Sequence, residues 1–313
     1  VVIIGDSFTF GWGVEPEKTW IHLLSEAYPE FEFLNLGQGG NHPGDYVQVA
    51  KRAIPLLDPD FVLAGVLQGN DLHQLMRVIE YEETIHKPAV TMPSLESKTE
   101  KYQRYIRIIY PNLSTRFPAA VSIQKRWKSD SENLLSELTE EQVKRYGSIN
   151  PEIRNWFEDG LMNPSLIYES LHHPLMFKEA ADRTNPLYRK GVIRLQDHLA
   201  EIAAICENSR ANFQIIDLPN RPYGFPQTLQ PLVELGYQIN GCDSLDASIA
   251  TATAADFLGI GLIQPEMKQQ NEPLFYNYDG HWNVEGNRIF AQELIKSLEK
   301  DSAWKHFQTS LNF

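Results

Sequence analysis

The chain has 313 residues, 42% of them hydrophobic and 11% aromatic, which is enough apolar material for a large buried core and unlike a disordered chain. Its formal charge of −13 argues against nucleic acid and anionic membrane surfaces as partners, since both are met by basic patches. Two cysteines, Cys206 and Cys242, are too few for a disulfide scaffold and lack zinc-site spacing. No apolar run is long enough to span a bilayer.

The chain opens inside a strand without an initiator methionine and so reads as N-terminally truncated. Its compartment stays open between the cytoplasm and, if a signal or anchor is missing, the cell envelope. No pattern in the chain speaks to its oligomeric state.

Val1-Val2-Ile3-Ile4 predicts a short buried strand running straight into Gly5-Asp6-Ser7. A helix is expected over 16–28, with Trp20, Leu23, Leu24 and Ala27 on one face. A second strand is expected over 31–36. It leads into Gly37-Gln38-Gly39-Gly40-Asn41-His42-Pro43-Gly44, a loop that needs positive φ or close backbone approach. Neither a GxxxxGK[ST] nor a GxGxxG phosphate loop is present. A helix over 45–57 and an apolar third strand over 61–67 follow, the latter ending at Gln68-Gly69-Asn70-Asp71. Strands alternating with short helical crossovers imply a parallel sheet covered on both faces.

From about 73 to 186 this rhythm stops, and the stretch reads as a mostly helical insertion within one domain spanning 1–313. Thr139-Glu140-Glu141-Gln142 has a capping-box pattern. His172-His173 invites a metal reading, but adjacent side chains diverge and no carboxylate completes a site, so surface or core histidines are expected. The rhythm returns with a helix from Tyr188 to about Ile205, a strand over 213–219 and a proline-rich loop. An Ala-rich helix over 246–258 and a fifth short strand or extended segment over 259–263 come next. An aromatic-rich loop through Asp279-Gly280-His281 precedes a closing helix over 285–300.

Ser7, Gly40, Asn70 and the Asp279–His281 turn thus stand at strand ends or loop–helix junctions. A serine hydroxyl is a weak nucleophile that needs an adjacent base, and histidine suits that role. A carboxylate orients the imidazole and stabilises the imidazolium. An oxyanion needs preorganised donors, which the Ser7 and Gly40 N–H groups and the Asn70 amide can supply. Asp6 and Asp71 are better placed to bond the turns that present their neighbours than to act as acids. Trp12, Tyr278 and Trp282 flank these motifs and serve either a pocket or the core. Asn283 and Gly286 read as helix-start features, and Asn112-Leu113-Ser114 matches a glycosylation sequon.

Gly5-Asp6-Ser7, the glycine-rich loop at Gly40, Gly69-Asn70-Asp71 and the late His281 resemble, in that order, the four blocks of the SGNH (GDSL-type) hydrolase superfamily. The strings GDSFTFGWGV and DGHWN resemble its bacterial members. The resemblance implies a flavodoxin-like, three-layer α/β/α fold with a mainly parallel five-stranded sheet and no metal or organic cofactor.

It further implies a serine esterase with Ser7 as nucleophile, His281 as base, and an oxyanion hole from Ser7, Gly40 and Asn70. Gly40 fits the family's N-x-G-x-x-G spacing from Asn35, with Gly39 as its rival. The family's usual acid lies three residues before the histidine. Tyr278 occupies that place here, and Asp279 lies two before; a backbone carbonyl or Glu272 is the alternative. Substrates would be small-molecule, glycan or lipid esters. An O-acyltransferase acting on a glycan and a non-catalytic carbohydrate-binding module are the competing readings.

Overall fold

The computed structural model describes residues 1–85, 119–242, 245–268 and 270–310. They form two compact units: one of Val1–Tyr81, Leu175–Pro231 and Gln238–Phe313, the other of Glu82–Pro174 with Leu232–Tyr237.

The first unit is built on β1 (Val2–Ile4), β2 (Leu34–Asn35), β3 (Phe61–Leu67), β4 (Asn212–Leu218) and β5 (Gly261–Ile263). All pairings are parallel, in the order β2-β1-β3-β4-β5. This is the flavodoxin-like order, in which the winding reverses between β1 and β3 and opens a crevice outside their carboxyl ends. Its main helices are α1 (Ser7–Phe10), α2 (Trp20–Ala27), α3 (Pro43–Leu57), α4 (Asn70–Ile85), α5 (Pro186–Asn208), α6 (Arg221–Gly224), α7 (Ser248–Leu258), α8 (Val284–Leu298) and α9 (Ser302–Ser310).

Side-chain alternation explains why β1 and β3, covered on both faces, carry only apolar residues and glycine. Ile3, Phe61, Leu63, Ile216 and Leu218 point to one face, against Trp20 and Leu24 of α2, Phe290 and Leu294 of α8, and Trp304 and Phe307 of α9. Val2, Ile4 and Val62 point to the other, against Tyr46, Ala50 and Ile54 of α3 and Ile202 and Cys206 of α5. Val66 and Ile215 continue that face against Leu195, Leu199, Ala254 and Ala255. Each such aliphatic side chain, fully buried, contributes about 1.5–3 kcal/mol. Cys206 and Cys242 are both buried and form no disulfide.

Three elements differ from the sequence expectation. The helix expected over 16–28 is a 3-10 turn (Pro16–Lys18) followed by α2, because Thr19 interrupts it as a cap, its hydroxyl accepting from the His22 amide at 3.3 Å. The strand expected over 31–36 shrinks to Leu34–Asn35. Phe31 instead stacks on Phe307 with ring centroids 5.0 Å apart. The chain does not end its helices near residue 300: α9 follows, started by Asp301, whose carboxylate accepts from the Trp304 amide at 2.8 Å. Trp304 is fully buried.

The second unit is helical in its described parts: Ala119–Ser136, Glu140–Ser148, Pro151–Glu158 and Pro164–His172. Thr139 and Gln142 form the expected capping box. Asn150 and Asn163 cap the next two helices, each followed by a proline that fits the first turn. Ile149, Ile153, Phe157, Ile167 and Leu171 are buried, and Arg145 ties Glu140–Ser148 to the Leu171 carbonyl at 2.9 Å. His172 bonds the Tyr168 carbonyl and stacks on that ring. The Asn112-Leu113-Ser114 sequon lies outside the described residues. Among the described residues no helix is long and apolar enough to cross a membrane.

Candidate active site

β1 delivers Ser7 to the crevice between β1 and β3. Asp6 ends the strand as an extended residue and caps the one-turn helix α1, its carboxylate accepting from the Phe8 amide at 2.9 Å. Ser7 is then the first helical residue, and its N–H has no acceptor within the helix. Gly11, in the left-handed region, closes the turn by donating to the Ser7 carbonyl. Trp20 braces the same turn from below, its indole N–H bonding the Phe8 carbonyl at 2.9 Å. The exposed α1–α2 connection therefore rests on a buried aromatic support.

The glycine-rich loop after β2 uses both glycine properties that its sequence suggests. A Cβ at Gly37 would lie 2.5 Å from the Phe10 amide nitrogen, so only glycine lets the loop pass α1. Gly40 has φ of 83°. Asn35 pins the approach, donating to the Thr9 carbonyl at 3.0 Å and accepting from the Gly37 amide at 2.9 Å. Of the rival donors, Gly39 lies against Ser7 and Trp12, where a Cβ would meet the Ser7 Cβ at 4.0 Å. Nothing lies within 4 Å of one at Gly40. Neither amide is hydrogen-bonded among the described residues.

β3, hydrogen-bonded to β1, delivers Asn70 at the start of α4. Asp71 is fully buried and ties this turn down, accepting from the Leu67 amide at 3.0 Å and the Tyr46 hydroxyl at 2.9 Å. Burial, then the charge of Asp6, pushes the Asp71 carboxyl well above the ordinary range. Burial pushes Asp6 up to about 6, partly offset by the Phe8 amide and the His281 imidazole. Both acids thus hold turns, as their sequence positions suggest.

Asp279 and His281 sit on a tight loop closed by an antiparallel bridge between Phe275 and Trp282. The Tyr276 amide donates to the His281 carbonyl at 2.9 Å, and the Asn283 amide to the Leu274 carbonyl at 3.0 Å. Asn283 caps α8 through the Gly286 amide at 2.9 Å. The loop brings His281 Nε2 to 2.7 Å from Ser7 Oγ, across 274 residues of sequence. His281 Nδ1 contacts Asp279 Oδ1. Ser7, His281 and Asp279 therefore form one hydrogen-bonded relay; Glu272 is exposed.

Burial by itself raises the Asp279 carboxyl. The His281 side-chain bond, imidazole charge and amide, together with the Trp12 indole N–H, outweigh it and hold the carboxyl below its ordinary value. The Phe8 ring lies 4.8 Å from the His281 ring and the Trp12 ring 6.1 Å away. Ser7, Phe8, Gly11, Trp12, His281, Trp282 and Asn287 line a small crevice here.

The flanking aromatics divide between the two roles that the sequence leaves open. Trp282 is 2% exposed and stacks on Phe290 at 4.4 Å, so it belongs to the core. Trp12 is 43% exposed and faces the relay. Two contributors are invisible in the motifs. Tyr276 sends its hydroxyl to the Gly13 carbonyl, joining the histidine loop to the serine loop. Arg221 bonds the carbonyls of Tyr276 and Asn277. The available signal for Arg221 was its place just past the carboxyl end of a central strand. Among the described residues no group of three His, Cys, Asp or Glu side chains is arranged to hold a metal ion.

No family model matches the sequence, and no curated protein matches it. Among solved structures the chain is similar to the psychrotrophic esterase EstA from Pseudoalteromonas sp., with a TM-score of 0.43, 10% identity and coverage of 96% of each chain. It is similar to a member of the lipolytic protein G-D-S-L family from Veillonella parvula, with a TM-score of 0.40, 10% identity and coverage of 94% of this chain and 95% of that one. For the acetyl xylan esterase AlAXEase the TM-score is 0.41 at 13% identity, covering 95% of this chain and 98% of that one.

Proposed function

We propose that the chain is a serine-dependent hydrolase of carboxylic esters of the SGNH type. The observation that carries this reading is the relay from Ser7 Oγ through His281 Nε2 and Nδ1 to Asp279. With Nδ1 turned to the carboxylate, the Nε2 lone pair faces the serine hydroxyl, the tautomer a general base requires.

Ser7 Oγ attacks the ester carbonyl as its proton passes to His281 Nε2. Asp279 stabilises the imidazolium that forms. The imidazolium then protonates the departing alkoxide, leaving an acyl-enzyme on Ser7. Water, deprotonated by the same imidazole, releases the acid. The oxyanion is held by the Ser7 N–H, a glycine-loop N–H and the Asn70 side-chain amide. Spacing favours Gly40 for the loop donor, and contact with Ser7 favours Gly39. Each donor is worth roughly 3 kcal/mol of transition-state stabilisation.

The test is hydrolysis of p-nitrophenyl acetate and butyrate by the purified chain, run beside Ser7→Ala. Turnover by the wild type and its loss in Ser7→Ala are expected. Equal turnover in both overturns the reading. If a glycan acceptor is acylated with no free acid released, the acyl-enzyme stands but the enzyme is a transferase.

A further inference from the structure

We infer that Arg221 is a positioning residue for the relay, its buried guanidinium fixing the loop that carries Asp279 and His281. This rests on the esterase reading for its catalytic consequence, though not for the anchoring itself. Arg221 follows β4 at the start of α6 and is only 4% exposed. A buried guanidinium ordinarily pairs with a carboxylate or awaits an anionic ligand. Among the described residues no carboxylate pairs with it, and its hydrogen bonds go to neutral acceptors within the chain. Nη1 donates to the Tyr276 carbonyl at 3.1 Å and the Asn277 carbonyl at 2.6 Å. Nη2 donates to the Thr228 carbonyl, and Nε to the Thr228 hydroxyl at 3.2 Å. The cation also lies 5.7 Å from the centre of the Phe275 ring. Burial lowers its pKa to about 10, which leaves it charged at neutral pH.

These contacts fall at one place in the loop. Tyr276 is held by its amide to His281, its hydroxyl to Gly13 and its carbonyl to Arg221. Asn277, held by the same nitrogen, stands two residues before Asp279. Arg221 therefore fixes the turn that sets Asp279 against the imidazole, and through it the imidazole against Ser7. Its planar fork reaches three carbonyls at once, which a lysine ammonium on a single stem cannot match.

The experiment compares wild type, Arg221→Lys and Arg221→Ala by three readouts. These are hydrogen exchange in peptides spanning 274–283, kcat and KM for p-nitrophenyl acetate, and recovery of Arg221→Ala by guanidinium at a non-denaturing concentration. Arg221→Ala is expected to speed exchange in 274–283 and to lower kcat about 100-fold with KM little changed, the cost of a displaced catalytic group. Guanidinium should restore kcat where sodium does not, and Arg221→Lys should fall between. Unchanged exchange in 274–283 overturns the inference. So does lost activity that guanidinium does not restore, because a general packing defect would behave that way. If Arg221→Ala fails to fold, the exchange and kcat of Arg221→Lys decide, and wild-type values in that variant overturn the inference. If the wild type neither hydrolyses esters nor reacts at Ser7, the esterase reading fails alone, and the exchange measurement still judges the anchoring.

Discussion

Replacing Asp279 by asparagine leaves the shape of the loop and removes one charge. The carboxylate accepts from His281 Nδ1 and, more weakly, from the His281 amide at 3.4 Å. An amide has one oxygen and one NH2, so it either meets the imidazole through a neutral acceptor or turns a donor toward it. The lost charge-assisted bond is worth about 1.5–3 kcal/mol. Loss of the charge facing the imidazolium adds a further part of the roughly 4 kcal/mol that two unit charges share near a protein surface. Both side chains are partly solvated, at 26% and 21% exposure, so a total of about 3–5 kcal/mol is expected. That is roughly a 100- to 10,000-fold fall in kcat. The assay is steady-state hydrolysis of p-nitrophenyl acetate, with thermal unfolding as a check that the fold persists. A kcat within about threefold of wild type would refute the assignment. Glu272→Gln should leave kcat unchanged, and a loss there instead would transfer the role to Glu272.

Three further outcomes follow from the same geometry. Trp12→Ala removes the ring that lies 6.1 Å from the His281 ring and should lower kcat by roughly tenfold, about 1.4 kcal/mol of lost positioning. Trp20→Ala empties a fully buried site under the nucleophile turn and should cost about 3–5 kcal/mol by urea unfolding. Asp217, 3% exposed on β4, is pushed up to about 6 by burial despite the 2.7 Å bond from Gln68. Its folded pKa lies above the unfolded one, so its contribution is full below about pH 4 and is lost as pH rises through about 6. The loss totals about 3 kcal/mol. Asp217→Asn should remove that part of the slope in urea midpoints between pH 4 and 8, leaving the shares from Asp6 and Asp71; an unaltered slope would contradict the assignment.

How far the sequence could be read depended on the range of the interactions involved. β1 and β3 were legible because strands covered on both faces are apolar along their length, as Phe61–Leu67 is, and β4 by its Phe213, Ile215, Ile216 and Leu218 despite Gln214 and Asp217. The crevice residues were legible because glycines and capping side chains mark strand ends. The extent of β2 was not. Phe31 and Phe33 have strand-like character, yet their rings serve an aromatic cluster with Trp304 and Phe307 far along the chain. The role of Arg221 was hidden for a similar reason. Its partners lie 55 and 56 residues downstream and are backbone carbonyls, which carry no residue identity. Asp279 was harder to place than His281, since only the turn at Gly280, with φ of 82°, brings an acid two residues away back onto the ring.

The central claim is that Ser7 is an activated nucleophile and not merely the first residue of a capped turn. A fluorophosphonate probe tests it directly, because it reacts with a serine whose base is in place and needs no knowledge of the natural ester. Intact-mass analysis and peptide mapping should find one adduct, on Ser7, absent from Ser7→Ala and strongly slowed in His281→Ala. A folded wild-type chain that takes up no probe, or takes it up equally without Ser7, would contradict the account.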